Sequence, residues 1–196
     1  MIEKLLKQKG SLLIGIDGQC GSGKTTLSEQ MAEHFEHRTF HMDDYYLPME
    51  HRREDWKEHP CANMDMERFL REVVKPSYEK QTVNYQPYSC RMGTYGSTEE
   101  IKWKPLTIVE GSYAHHPMLR PYYDIAIFLT CEKEVQENRL RIREGERLPF
   151  YKELWIPLEE QYFKEFQIEA HADIKIDTSN MQKGKLYESI IHFQNR

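Results

Sequence analysis

The nonapeptide Gly18-Gln19-Cys20-Gly21-Ser22-Gly23-Lys24-Thr25-Thr26 sets the reading of the whole chain. It matches the pattern G-x-x-x-x-G-K-[ST], and its setting matters as much as its letters. Ahead of it, Leu12-Leu13-Ile14-Gly15-Ile16 is a short apolar run, as expected of a strand buried on both faces. Behind it, residues 26–35 carry Leu27, Met31 and Phe35 at i, i+4 and i+8, which predicts a helix. Between strand and helix, glycines let the backbone curl until successive N–H groups converge on phosphate oxygens. The helix N-terminus adds its partial positive charge. In that frame Lys24 reaches the β- and γ-phosphates, and the Thr25 hydroxyl ligates Mg²⁺. Four specified positions match by chance in roughly one chain of this length per hundred. The stretch predicts a nucleotide site built from all nine residues, 18–26.

Outward from this loop, strands and helices alternate. Thr39-Phe40-His41-Met42 reads as a second strand closed by Asp43-Asp44, and residues 47–62, rich in proline and charge, as a loop or broken helix. Residues 64–74 place Met66, Phe69, Leu70 and Val73 on one helical face, with Pro76 as the stop. Residues 82–104 combine Thr, Val, Tyr and Ile with Gly93 and Gly96, which predicts an inserted hairpin. Residues 106–109 and 125–129 are two more buried strands, and 174–176 a last one. Residues 132–143, 153–169 and 186–193 are read as helices. Strands separated by helices need crossovers, so the sheet should be five-stranded, mostly parallel and covered on both faces. Ligands of such a sheet bind beyond the carboxyl ends of its strands.

Composition narrows the function. The 196 residues fit one domain spanning 1–196. A chain of that size buries about 70% of its unfolded surface and needs no metal or disulfide staple. Aromatic residues at 12% exclude a disordered chain. Lys+Arg 27 against Asp+Glu 32 leaves a net charge of -5, the wrong sign for a general binder of nucleic-acid backbones. No apolar run approaches the ~20 residues of a membrane span. No long apolar stretch follows the N-terminal lysines, so a secretory signal is not expected either. Cys20, Cys61, Cys90 and Cys131 lie far apart without a CxxC pair, the pattern of free thiols in a reducing compartment. The expectation is a cytoplasmic chain acting on small molecules, with neither nucleic acid nor membrane as partner, and able to form a homo-oligomer.

A phosphate loop alone does not distinguish a kinase from a GTPase, a transporter ATPase or a regulatory module. The guanine signature N-K-x-D and an LSGGQ-like stretch are both absent. A small phosphotransferase needs an acidic partner for the metal, a base for the acceptor hydroxyl, and cations over the moving phosphoryl group. Glu110 follows four apolar residues at a strand end and is the candidate for the first. Asp43 and Asp44 end another strand at the same sheet edge, and one of them is the candidate base. Arg139, Arg143 and Arg147 recur at i, i+4 and i+8 and would line one helix face as a lid, about residues 139–150.

Taken with Asp43-Asp44-Tyr45-Tyr46, Glu58-His59-Pro60 with Asp65, Tyr85-Gln86-Pro87-Tyr88, Glu110-Gly111, Arg139-Leu140-Arg141-Ile142-Arg143-Glu144 and His171-Ala172-Asp173-Ile174-Lys175-Ile176, the chain resembles the uridine kinase/phosphoribulokinase family of P-loop kinases. The resemblance runs from about residue 13 to 177. It implies a three-layer α/β/α P-loop NTPase fold with a small hairpin and a helical lid, and transfer of the γ-phosphate of ATP with Mg²⁺. By the D-S-[FY]-Y match, Asp43 would be the general base. Motif, spacing and resemblance together give Lys24, Arg139 and Arg143 as candidate catalytic residues, Thr25 and Glu110 as candidates at the metal, and Glu58, Tyr88, Arg91 and Arg147 with Asp43 as candidates at the acceptor.

Uridine kinases follow P-x-Y with a histidine and an arginine that read the base; this chain has Ser89-Cys90-Arg91-Met92-Gly93. Its lid, Arg143-Glu144-Gly145-Glu146-Arg147, is also shorter than R-D-x-x-E-R-G-R. Trp155-Ile156-Pro157 resembles the W-P element of nicotinamide riboside kinases. The acceptor expected is a nucleoside such as uridine or a related riboside, with nicotinamide riboside, pantothenate, glycerate or a sugar phosphate as alternatives. Of the remaining residues, Trp56, Trp103 and Trp155 are read as buried anchors, His115-His116 as a turn feature, and Tyr162, Phe163 and Phe166 as core. Cys20, at a helix N-terminus, is expected to have a lowered thiol pKa.

Overall fold

The computed structural model describes residues 1–181 and 185–188. Along the chain the strands are β1 (Leu12–Gly18), β2 (His37–His41), β3 (Val83–Tyr85), β4 (Tyr88–Ser89), β5 (Thr94–Tyr95), β6 (Glu99–Ile101), β7 (Leu106–Glu110), β8 (Ile125–Thr130) and β9 (Ile174–Asp177). The α-helical segments are α1 (Ile2–Lys9), α2 (Lys24–Ala32), α3 (Met66–Phe69), α4 (Lys75–Tyr78), α5 (Lys133–Glu144), α6 (Leu148–Phe150) and α7 (Ile156–Glu165). One five-stranded sheet in the order β2-β7-β1-β8-β9 forms the centre, and every pairing in it is parallel. Among the described residues, no helix is long and apolar enough to cross a membrane.

The pleat sorts the core into two halves. Leu12, Ile14 and Ile16 of β1 point to one face with Leu106 and Ile108, where Ile2 of α1 and Leu27 and Met31 of α2 cover them. Leu13, Phe40, Val109 and Phe128 point to the other, under Phe69, Val73 and Tyr162. Each strand therefore needs apolar residues at consecutive positions, which is why the sequence shows runs and not alternation. The three-layer α/β/α arrangement is as expected. The inserted hairpin is also found, as two short ladders. Tyr85 faces Glu99 and Tyr88 faces Tyr95, so two residues, Gln86 and Pro87, oppose three, Gly96 to Thr98. Proline supplies no ladder N–H at that bulge.

Several boundaries differ from the sequence expectation. α1 was not foreseen; Gly10 ends it in the left-handed region with φ 76. Pro76 does not stop the helix begun at Met66. A π-turn, Leu70–Val74, precedes it, the N–H of Lys75 bonds back to Leu70 O, and the helix runs on to Tyr78. The wider π-turn just before it accommodates Pro76, which has no N–H to give the helix. The long helix expected at 153–169 is a π-turn, Tyr151–Trp155, followed by α7, which ends at Glu165. The final helix begins at Leu186, and the part expected at 189–193 lies outside the described residues.

Candidate active site

The loop after β1 is fixed by contacts only glycine allows. Gly18 has φ +138, and a Cβ there would stand 2.0 Å from Leu129 O. The chain then turns so that Lys24 opens α2 and its Nζ folds back, donating to Gly18 O at 2.6 Å and Gln19 O at 3.1 Å. Residues 21–26 line a cavity of about 560 Å³ together with Arg139 and Arg143. Arg139 is anchored there: its guanidinium donates to Gly21 O (3.2 Å), Thr178 Oγ1 (2.9 Å) and Thr178 O (2.7 Å).

Parallel register brings three strand ends together beside this loop. Glu110 is level with Ile16 of β1 and with His41 of β2. The buried Glu110 carboxylate lies 3.2 and 3.3 Å from Thr25 Oγ1, and His41 Nδ1 lies 2.6 Å from its Oε1. That hydrogen bond to a carboxylate raises the His41 pKa, against the opposing effect of burial. A hydroxyl and a carboxylate converging in this way are hard oxygen donors, the set Mg²⁺ takes, so Thr25 and Glu110 could hold it. Gly111, at φ +135 with a Cβ position 2.8 Å from Met42 Cβ, lets the chain leave β7 tight against the turn that carries Asp43.

The two adjacent aspartates of that turn, Met42–Tyr45, are used differently. Asp44 accepts from the Tyr85 hydroxyl. Asp43 accepts from the Tyr46 hydroxyl at 3.1 Å and lines a second cavity, of about 110 Å³. The crowded cleft walls push the Asp43 carboxyl above its ordinary range; Lys24 opposes this, and Glu110 and Asp44 add to it. Lys24, Thr25 and Arg143 belong to the lining of both cavities. Arg143 is held by Glu144 (Nε–Oε1 2.7 Å) and lies 5.8 Å from the centre of the Tyr151 ring.

No family model matches the chain. It is, however, similar to curated uridine kinases along most of its length. That of Clostridium novyi (strain NT) is 31% identical over 143 residues, 68% of each chain. That of Anoxybacillus flavithermus is 26% identical over 152 residues, 70% of this chain and 69% of the relative. The chain belongs to the uridine kinase family of P-loop kinases. The fold agrees. A solved structure described as a possible uridine kinase from Bacillus stearothermophilus superposes with a TM-score of 0.64 at 22% identity, covering 90% of this chain and 97% of that one. As a uridine kinase-like enzyme the chain is a kinase that uses ATP and acts on a small molecule.

Within this uridine kinase-like site, not every expected residue is brought together. Glu58 is exposed at the end of a 3₁₀ turn, Trp56–Glu58, and Arg91 is exposed at the hairpin tip. Tyr88 is buried against Tyr95, with ring centres 5.2 Å apart. None of the three lines either cavity. Arg147 does not share a helix face with Arg139 and Arg143. α5 ends at Glu144, Gly145 turns with φ 58, and Arg147 lies on an exposed 3₁₀ turn paired with Glu144 at 2.5 Å. Of the nine loop residues, Gly18 and Gln19 act through their carbonyls on Lys24, and Cys20 faces the second cavity. The Cys20 thiol pKa is raised, not lowered, because burial and the nearby Glu159 both oppose the thiolate. Trp56 is a buried anchor as expected, whereas Trp103 and Trp155 are half-buried, and Trp155 lines the second cavity.

Two buried carboxylates escaped the sequence reading. Asp17 Oδ1 accepts from Gly18 N (2.7 Å), while Oδ2 accepts from His115 N (2.8 Å) and the Tyr162 hydroxyl (2.8 Å). Glu159 of α7 accepts from Cys20 N at 2.8 Å and from the Ser112 hydroxyl at 2.5 Å. An aspartate inside the otherwise apolar run 12–18 was a usable signal for the first. Glu159 carried none, since its partner Cys20 is 139 positions away.

Proposed function

We propose that this kinase transfers the γ-phosphate of Mg·ATP to a hydroxyl of a nucleoside or related riboside. The observation that carries the proposal is the pair of cavities joined at Lys24, Thr25 and Arg143, the loop-lined one fitting a triphosphate and the other presenting Asp43. Phosphoryl transfer is chiefly positioning and charge stabilisation, so what matters is which groups meet where donor and acceptor touch. Lys24 and Arg143 supply two cations there. Asp43 lines the second cavity with them and would take the proton of an acceptor hydroxyl. Its raised pKa suits a base that must hold a proton after accepting it. Mg²⁺, when bound by Thr25 and Glu110, supplies neutralisation of the phosphate charge.

Residues 1–196 would work as one domain, with the hairpin and the lid segment as insertions on a single sheet. ATP consumption and product formation with uridine, cytidine, nicotinamide riboside, pantothenate, glycerate and a sugar phosphate test the proposal. Turnover with ribosides above all others is the expected result. Turnover confined to pantothenate or glycerate would leave a kinase and remove the riboside.

A further inference from the structure

Part of the lining of the cavity that presents Asp43 comes from the segment after the lid. Tyr151–Trp155 is a π-turn, an irregularity frequent at functional sites. Trp155, its last residue, is half-buried and lines the same cavity as Asp43. Its ring centre lies 6.4 Å from that of Tyr46, at 45°, and 5.9 Å from that of Trp56. Tyr46 is itself tied to the candidate base, since its hydroxyl donates to Asp43.

These aromatic rings are held in place from outside the cavity. Arg52 lies 5.8 Å from the Tyr46 ring centre and 4.9 Å from that of Trp56, and its Nε donates to Leu47 O. One helical turn beyond Trp155, Glu159 is pinned to the loop at Cys20 N and to Ser112. Tyr46 and Trp155 form a tilted pair, and both line the cavity that presents Asp43, so together they offer a flat group an aromatic wall.

We infer that Trp155 is a specificity-determining residue whose ring, with Tyr46, clamps a flat heteroaromatic group on the acceptor while the acceptor's hydroxyl meets Asp43. This rests on the riboside reading above and makes it more specific: the ring is recognised by stacking from the lid side and not by the hairpin residues. Acceptors without such a ring forgo the clamp.

Steady-state kinetics of Trp155→Ala and Trp155→Phe test it, with uridine and D-ribose as acceptors and melting temperature as the check on folding. Trp155→Ala should raise the KM for uridine about tenfold, the worth of one aromatic stacking contact. The kcat, the KM for ATP and any turnover of D-ribose should stay within about twofold, and Trp155→Phe should recover most of the loss. Uridine should also quench tryptophan fluorescence in the wild type and not in Trp155→Phe. An unchanged uridine KM in a folded Trp155→Ala, or wild-type turnover of acceptors without an aromatic ring only, would overturn the clamp while leaving the kinase in place. Transfer to no acceptor at all would count against the proposed function instead, and the quenching titration would then decide the clamp alone: quenching lost in Trp155→Phe supports it, and absence of quenching removes it.

Discussion

At the scale of single residues, the division of labour between Asp43 and Asp44 is the sharpest feature. Identical neighbours on one turn differ because Tyr85 occupies Asp44, which leaves Asp43 to the cleft. Asp43→Asn should keep ATP binding and lose phosphoryl transfer by about 10²–10⁴-fold, the usual worth of a general base. Its stability should move the other way. Because the folded pKa is raised, the wild type loses stability as pH rises through that value, and the neutral amide does not. The melting temperature of Asp43→Asn should therefore match the wild type in acid and equal or exceed it at neutral pH. A variant clearly less stable at neutral pH would show that the carboxylate is held by partners, not merely tolerated. For activity, the acid limb of kcat/KM should fall above the ordinary carboxylate range and vanish in the variant. Lys24→Ala should abolish turnover while melting within a few degrees of the wild type, since its loss frees only two loop carbonyls. Lys24, Thr25, Glu110 and the pair Asp43-Asp44 could be singled out from the sequence because strand ends and the phosphate loop announce themselves locally. The choice of Asp43 over Asp44 came only from the family resemblance. Glu58 and Tyr88 rest on a family pattern and Arg91 on its charge alone, and none of the three lines either cavity.

At the scale of elements, contacts between the loop and distant helices are what the sequence could not show. Glu159 reaches from α7 to the backbone of the phosphate loop, and nothing in residues 156–165 marks it apart from other helical glutamates. Glu159→Ala leaves the Cys20 N–H and the Ser112 hydroxyl without their buried acceptor and should cost about 2 kcal/mol in urea unfolding. Glu159→Gln keeps an acceptor for Cys20, and the serine hydroxyl can turn to accept from the amide, so it should cost well under half as much. Equal losses in the two variants would mean that packing, and not hydrogen bonding, holds α7 to the loop. Gly18→Ala places a Cβ against the Leu129 carbonyl and should destabilise by at least about 3 kcal/mol. The lid was misjudged for a related reason. A spacing of four residues predicts a shared face only while the helix continues, and Gly145 ends α5 between Arg143 and Arg147.

At the scale of the whole molecule, the fold was largely legible because a parallel sheet writes itself as apolar runs between helices, each strand being buried on both faces. Strand order, the bulge within the hairpin and the contact of α7 with the loop depend on residues distant in sequence and were not. The architecture gathers the carboxyl ends of β1, β2 and β7 at one place, so a phosphate loop, Glu110 and Asp43 converge without any of them being near another in sequence. The proposed function turns on that convergence: a nucleotide in one cavity, an acceptor hydroxyl beside Asp43 in the other, and Lys24, Thr25 and Arg143 shared between them. The most direct measurement is transfer of labelled γ-phosphate from ATP to uridine, followed by wild type and Asp43→Asn at equal ATP occupancy. The account predicts labelled uridine monophosphate from the wild type and a loss of at least about a hundredfold in the variant. Label released only to water, or an Asp43→Asn enzyme as fast as the wild type, would contradict it.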